Sequence, residues 1–304
     1  MPPPQLPTLP PGPLTLAAAR QLGLSDHQWR LKGLRRQTQT VRTLTEPESA
    51  HERGALFALA LPADCAFSHV TAAQLWGLPL PSALEGQEGL DVIRATGRGR
   101  IERHGCIPHH GAERRELEVL GGLRVTGPAD TWVDLGEVMA RGLDTADLVV
   151  AGDEVANRRP VASLAAVLAR RVRPRNSTAL SEALTLIRAG VRSPMETRAR
   201  LMFHRAGFPE PEVNAAIYSN DGGWLAEGDL VWRRQKVVGE YQGAVHGDIR
   251  SRSRDANRNG LLTDEGWRVL EIFSQDVFDA PRRVQTLTRF AGALVLDLTT
   301  LRIA

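Results

Sequence analysis

Two acidic side chains in the last third of the chain, Asp229 and Glu240, have the type and spacing to hold a divalent cation. Asp229 lies in GDLVW (228–232) and Glu240 in KVVGEYQG (236–243), two strand-like runs joined by the basic turn RRQ. At a period of two, Asp229 shares a strand face with Glu227 and Val231, and Glu240 shares one with Gln242. A two-residue loop at Arg234 and Gln235 sets a register in which Asp229 stands directly opposite Glu240. Like charges across an antiparallel pair destabilise it unless a cation or a proton offsets them. Carboxylate oxygens suit Mg²⁺ or Mn²⁺ rather than zinc. Such an ion polarises a phosphodiester oxygen, generates hydroxide from water and stabilises the leaving oxygen, which is the chemistry of a nuclease. The competing reading is two ordinary polar positions on an exposed hairpin.

The elements that would position this pair lie on either side of it. SPMETRARLMFHRAGF (193–208) has the punctuation of a helix: Ser193 as N-cap, Pro194 in the first turn, apolar Met195, Ala199, Met202, Phe203 and Ala206, and Gly207 as the stop. Glu196, three residues after the cap, fits a capping box and a place beside the metal equally well. After Gln242 come His246 and a basic stretch with Arg250, Arg252, Arg254, Asp255 and Arg258, then LLTDEGW and the apolar strand RVLEIF (268–273). The arginines suit phosphates, although Asp255 and Arg258 also have the spacing of a surface ion pair.

The order S-P-x-E on a helix, G-D-L-x-W, E-Y-x-G-x-x-H, R-D-x-x-R and G-W-R-V-L, over roughly 193–278, resembles the very-short-patch-repair-like branch of the PD-(D/E)XK nuclease superfamily. The resemblance implies a restriction-endonuclease-like α/β core with a mixed central sheet and a Mg²⁺- or Mn²⁺-dependent endonuclease acting on DNA. It makes Glu196 the helix acid, Asp229 the central metal-binding aspartate and Glu240 the acid of the E-x-K motif, with the Tyr241 carbonyl as a further metal ligand. Gln242 then stands where superfamily members usually carry lysine, relatives of this branch often carry aspartate, and the repair endonucleases carry histidine. Glutamine can hydrogen-bond water or a phosphate oxygen but neither titrates nor supplies charge. His246 matches a histidine position of the branch and is the candidate general acid or phosphate contact.

Nearer the start, LTLAAARQLGLSDHQWRLKGLRRQTQTVRTL (14–44) reads as a short helix ending at Gly23, a second helix capped by Ser25, and an extended segment. These are the parts of a winged helix-turn-helix, with Arg30, Lys32, Arg35 and Arg36 on the second helix as DNA contacts. The alternative is a small helical pair with a solvated basic face. CAFSHVTAAQLWGLPLP (65–81) and GLRVTGPADTWVDLGE (122–137) resemble two segments that follow the winged helix in relatives of the abortive-infection type IV antitoxins, which implies a regulator that binds promoter DNA and has a toxin as a possible partner. Trp76-Gly77 departs from the usual His-Gly of the first segment.

His104, Cys106, His109 and His110 fall within seven residues and invite a zinc site, but no second Cys or His pair lies nearby at finger-like spacing. The stretch reads instead as a strand running into a loop, and His69 as a structural residue at a helix start.

The whole chain fits these parts. Its 304 residues, 42% hydrophobic and 24% charged, are ample for buried cores in a soluble protein of α/β class, α+β overall. The organisation expected is a proline-dense tail (1–13), a winged-helix-like domain (14–60), a mixed α/β middle region (61–135), a helical connector (136–190) and the nuclease-like domain (191–304). A net charge of +3 permits a nucleic-acid partner without demanding one. Cys65 and Cys106, far apart, form no disulfide framework and fit a reducing cytoplasm. No apolar run reaches membrane-spanning length, and the start lacks a secretory pattern. Two readings remain open beside the DNA endonuclease: a non-catalytic DNA-binding regulator with a decayed nuclease fold, and a nuclease acting on RNA.

Overall fold

The computed structural model describes residues 9, 12–30, 33–243, 258 and 260–303. Lys32, His246, Arg252 and Arg254, and nearly all of the proline-dense tail, lie outside the described residues. The chain is mixed α/β and divides into two compact units, Met1–Asp144 with Ala162–Leu180, and Thr145–Val161 with Ser181–Ala304. The two regions expected as separate domains over 14–60 and 61–135 thus share one unit, and the expected connector (136–190) is divided between the two.

The first unit opens with β1 (Leu14–Thr15), α1 (Leu16–Gln21), α2 (Asp26–Trp29), β2 (Arg35–Arg36) and β3 (Val41–Thr43), the strands forming a sheet of order β1-β3-β2. Thr15 caps α1 by accepting from the Ala18 amide, and Ser25 forms a capping box with Gln28 at α2. Leu14, Ala19, Leu24, Trp29 and Leu34 bury a small core between them. One expectation is corrected here. The second helix ends at Trp29, and Arg35 and Arg36 stand on strand β2, paired with Thr43 and Arg42. Arg30 caps the C-terminal end of that helix, and the strand ladder with β3 satisfies the backbone at Arg35 and Arg36.

The remainder of this unit carries α3 (Ala50–Ala58), β4 (Ala66–Phe67), α4 (His69–Trp76), α5 (Ser82–Glu85), β5 (Leu90–Arg94), β6 (Cys106–His110), β7 (Leu117–Leu120), β8 (Leu123–Thr126) and α6 (Pro128–Glu137). Its five strands form a mixed sheet of order β6-β5-β4-β8-β7, parallel at β5–β6 and β4–β8 and antiparallel elsewhere. The β7–β8 hairpin turns on Gly121 and Gly122, both at positive φ (56° and 84°), the backbone a two-residue type I′ turn demands. Phe57, Phe67, Leu90, Val92, Leu123 and Val125 form the core.

Helices α7 (Thr145–Ala156), α8 (Val161–Arg170) and α9 (Ser177–Leu186) follow, then α10 (Pro194–Ala206), β9 (Glu212–Tyr218), β10 (Trp224–Trp232), β11 (Val237–Gln242), β12 (Arg268–Phe273), α11 (Ser274–Phe278) and α12 (Ala280–Leu294). Strands β9 to β12 make a mixed sheet of order β12-β11-β10-β9, in which β9–β10 and β10–β11 are antiparallel and β11–β12 is parallel. Helix α10 has the cap, first-turn proline and left-handed Gly207 (φ 86°) read from the sequence. Its Ala199, Met202 and Phe203 pack with Phe290 and Leu287 of α12 against Leu230, Trp232, Val237 and Ile272 of the sheet. Full burial of each large side chain in that layer contributes roughly 1.5–3 kcal/mol. Val231, Val238, Ile217, Leu262 and Trp267 form a second core. The acids of interest therefore sit on strands fixed by two packed layers.

Candidate functional site

The β10–β11 register pairs Leu230 with Gly239, Val231 with Val238 and Trp232 with Val237. One step further along the same register, Asp229 falls opposite Glu240. The loop is longer than the sequence reading had it: a 3-10 turn at Arg233–Gln235 and a left-handed Lys236 (φ 52°) close the hairpin. Because the loop gains one residue on each side, the pairing is unchanged. Gly228 lets the strands approach beside Asp229, since a Cβ there would stand 2.6 Å from Val238 Cγ1.

Asp229 Oδ2 accepts the backbone N–H of Tyr241 at 2.8 Å. Burial pushes the Asp229 carboxyl above the usual aspartate range, and the negative charge of Glu196 adds to this. The Tyr241 amide and the guanidinium groups of Arg258 and Arg192 oppose the shift without cancelling it. Glu240 Oε1 pairs with Arg258 Nη2 at 2.6 Å. Glu196 is buried at the start of α10, where its amide donates to Ser193 Oγ. Its side chain departs from the expected capping box, because Oε2 accepts from the Arg192 amide (3.0 Å) instead of the cap residue, and from Asn214 Nδ2 (2.7 Å). Asn214 interrupts β9 with a left-handed backbone (φ 44°), which favours Asn over β-branched residues. Arg192 makes a bidentate pair with Glu227.

Glu196, Asp229, Glu240 and Arg258 are thus brought into one electrostatic neighbourhood. Gln242 ends β11, half-buried and in register with Phe273 of β12. The three acids do not meet the spacing at which ligand atoms all lie within 4.8 Å of one another. Closing them on one ion requires side-chain movement, beginning with release of Glu240 from Arg258.

Among the described residues, the trio that does meet that spacing is His69, Asp91 and His109. Sequence reasoning missed it as a group. Of the four residues that invited a zinc site, His109 alone joins the trio; its partners come from the start of α4 and from β5. The His69 and His109 rings stack with centroids 3.6 Å apart. His109 Nε2 lies 2.7 Å from Asp91 Oδ1, Arg141 Nη1 donates to that same oxygen at 2.8 Å, and Gln87 Nε2 donates to Oδ2 at 3.1 Å. Burial pushes the Asp91 carboxyl up, but these hydrogen bonds outweigh it and hold the group below its ordinary range. Burial lowers His109, against the pull of Asp91. Cys106 is pushed up to about 11 by burial, far from a reactive thiolate.

At the N-terminal end, Arg42 lies 5.1 Å over the Trp29 ring. Its pKa is lowered by burial and by the charges of Arg36 and Arg30, so three guanidinium groups share one region. Arg35 pairs with Glu46 at 2.9 Å.

No family model matches the chain. Two proteins of Mycobacterium tuberculosis, both named as uncharacterized, MT2308 of strain CDC 1551 / Oshkosh and Rv2248 of strain ATCC 25618 / H37Rv, are 28% identical over 171 residues. That match spans 55% of this chain and 61% of each relative, less than two thirds of the relatives' length. The crystal structure of RV2827C protein from Mycobacterium tuberculosis is similar at a TM-score of 0.42 and 14% identity, over 69% of this chain and 84% of that one.

Proposed function

We propose that residues 191–304 form a metal-dependent endonuclease of the PD-(D/E)XK type, served by a DNA-binding N-terminal region. The observation that carries this reading is the β10–β11 register, which sets Asp229 opposite Glu240 with Glu196 acting on Asp229 electrostatically. A helix, three antiparallel strands and a fourth strand parallel to the third agree with the mixed sheet that the resemblance implies.

The donor set is all oxygen and carries more negative than positive charge, which fits Mg²⁺ or Mn²⁺. Asp229 and Glu240, with the Tyr241 carbonyl, would hold the ion. When bound, it polarises the phosphodiester and activates water. Glu196, anchored by Asn214 and the Arg192 amide, is placed to orient a water, and Gln242 to fix the nucleophile by a hydrogen bond. Arg258, once free of Glu240, becomes a phosphate contact. His246, Arg252 and Arg254 remain the catalytic and phosphate-binding candidates of this reading. Arg30, Arg36 and Arg42 supply the charge for a DNA backbone in the first unit.

A second reading rests on Gln242 and on the Glu240–Arg258 pair, which balances a carboxylate with a side chain in place of an ion. It makes the protein a DNA-binding regulator with an inactive nuclease fold. Plasmid nicking with Mg²⁺, Mn²⁺ or EDTA, beside Asp229→Ala, separates the two. Metal-dependent cutting lost in the variant supports the nuclease. Absence of cutting on every DNA form, with binding intact, moves the reading to the regulator.

A further inference from the structure

The His69 side chain is fully buried, and its Nε2 has no hydrogen-bond partner. Glu137 Oε2, the acid that faces it, is 3.7 Å away, a long contact, although interaction with His69 is the largest cause holding the Glu137 carboxyl down at about 2. Burying an imidazole nitrogen without a close partner is unfavourable, so its persistence calls for a partner on that atom. On the other ring nitrogen, Nδ1, Ser68 Oγ sits at 2.9 Å. With that contact made through Nδ1–H, the tautomer leaves Nε2 as a lone pair, and a ring nitrogen of His69 lies within 4.8 Å of ligand atoms of both Asp91 and His109.

From this geometry we propose that His69, His109 and Asp91 form a binding site for a borderline divalent metal, Zn²⁺ or Co²⁺, separate from the carboxylate site in the other unit. The chemistry of the donors points to this class. Two imidazole nitrogens and one carboxylate oxygen suit zinc and its neighbours, whereas Mg²⁺ prefers oxygen alone. Ligand atoms within 4.8 Å of one another would draw in to roughly 3.3–3.6 Å around a tetrahedral ion, and the stacked His69 and His109 rings would turn out of parallel so that their in-plane lone pairs converge. The supporting contacts resemble those that orient metal ligands: Ser68 behind His69, Gln87 on Asp91, and Thr71 Oγ1 accepting the Asp91 amide at 2.8 Å. Arg141 and the His109 hydrogen bond occupy Asp91 Oδ1. Arg141 is therefore the competitor of the ion. The site would tie α4, β5 and β6 together, so the bound metal stabilises the first unit.

Tag-free full-length protein, stripped with chelator and held in excess Mg²⁺ to fill the carboxylate site, is titrated with Co²⁺ and then Zn²⁺. The wild type shows the visible bands of four-coordinate Co²⁺ at one equivalent per chain, bleached by Zn²⁺, and Zn²⁺ raises the melting temperature. His109→Gln, at a partly exposed position that can be changed without emptying the core, weakens Zn²⁺ binding by about 100-fold or more. Arg141→Gln tightens it, by roughly tenfold, because a nearby positive charge is gone. Absence of the Co²⁺ bands, bands unchanged in His109→Gln, or weaker binding in Arg141→Gln overturns the assignment. Circular dichroism of each variant shows whether it is folded, and Asp91→Asn replaces any that is not.

Discussion

The backbone N–H of Tyr241 points at the Asp229 carboxylate, 2.8 Å from Oδ2. A side chain of one strand thereby takes a donor of the next, and the last turn of the β10–β11 ladder is fixed by the candidate catalytic acid itself. Asp229 cannot rotate away without leaving a half-buried amide unpaired.

Without metal, burial and Glu196 raise the Asp229 carboxyl above its ordinary value. The protonated form is then favoured by the fold. Its stabilising contribution is complete below the unfolded value near 3.8 and is lost as pH rises through the raised folded value. Asp229→Asn, which keeps an oxygen for the Tyr241 amide, is therefore expected to melt higher than the wild type at pH 7 in EDTA. The difference shrinks as pH falls towards 4. Thermal melts across that range check this; a variant less stable at pH 7 contradicts it.

Arg258 balances the charge of Glu240. Removing it as Arg258→Ala takes away one positive charge beside the acids, so Mn²⁺ binding by calorimetry tightens. In the same variant the slope of log affinity against log salt for duplex DNA falls by about 1, the loss of one phosphate contact. Weaker Mn²⁺ binding contradicts the role given to Arg258.

In the proposed nuclease, Gln242 would hold a nucleophile by hydrogen bonding alone. Gln242→Ala is expected to lower the cleavage rate by roughly 100-fold at unchanged DNA affinity. Gln242→Lys, which supplies the charge usual at this position, raises the rate above that of the wild type. Single-turnover kinetics separate these effects from binding.

Arg200 and Asp153 are both 2% exposed and form a 2.9 Å ion pair within the second unit. Thr197 Oγ1 and the Arg188 amide complete the carboxylate's hydrogen bonds. Arg200→Ala strands a buried charge and should cost about 3–5 kcal/mol by denaturant unfolding. A loss below about 1 kcal/mol would show that the pair is solvated in solution.

Much of the second unit was legible because its signals are local. Ser193, Pro194 and Gly207 punctuate α10 within a single element, and the spacing of Asp229 and Glu240 fixed their register even though the loop between them was taken to be shorter. The N-terminal arginines misled, since a basic run after a cap reads as helix until pairing with β3 draws Arg35 and Arg36 into a strand. Glu196 accepts from a different amide than its spacing implies, and Asn214, on strand β9 and distant in sequence, donates to the same oxygen. The trio of His69, Asp91 and His109 was illegible for a related reason. Its members stand on α4, β5 and β6, brought together by strand order rather than by sequence spacing, and a search for local ligand pairs passes over them.

The account rests most directly on Asp229 and Glu240 sharing one hard cation, and anomalous diffraction from crystals soaked in Mn²⁺ tests that claim. One peak is expected, at about 2.0–2.2 Å from an oxygen of each residue, with the Arg258 guanidinium withdrawn from Glu240. A density map without a peak between the two carboxylates, and with the Glu240–Arg258 pair intact at saturating Mn²⁺, would contradict it.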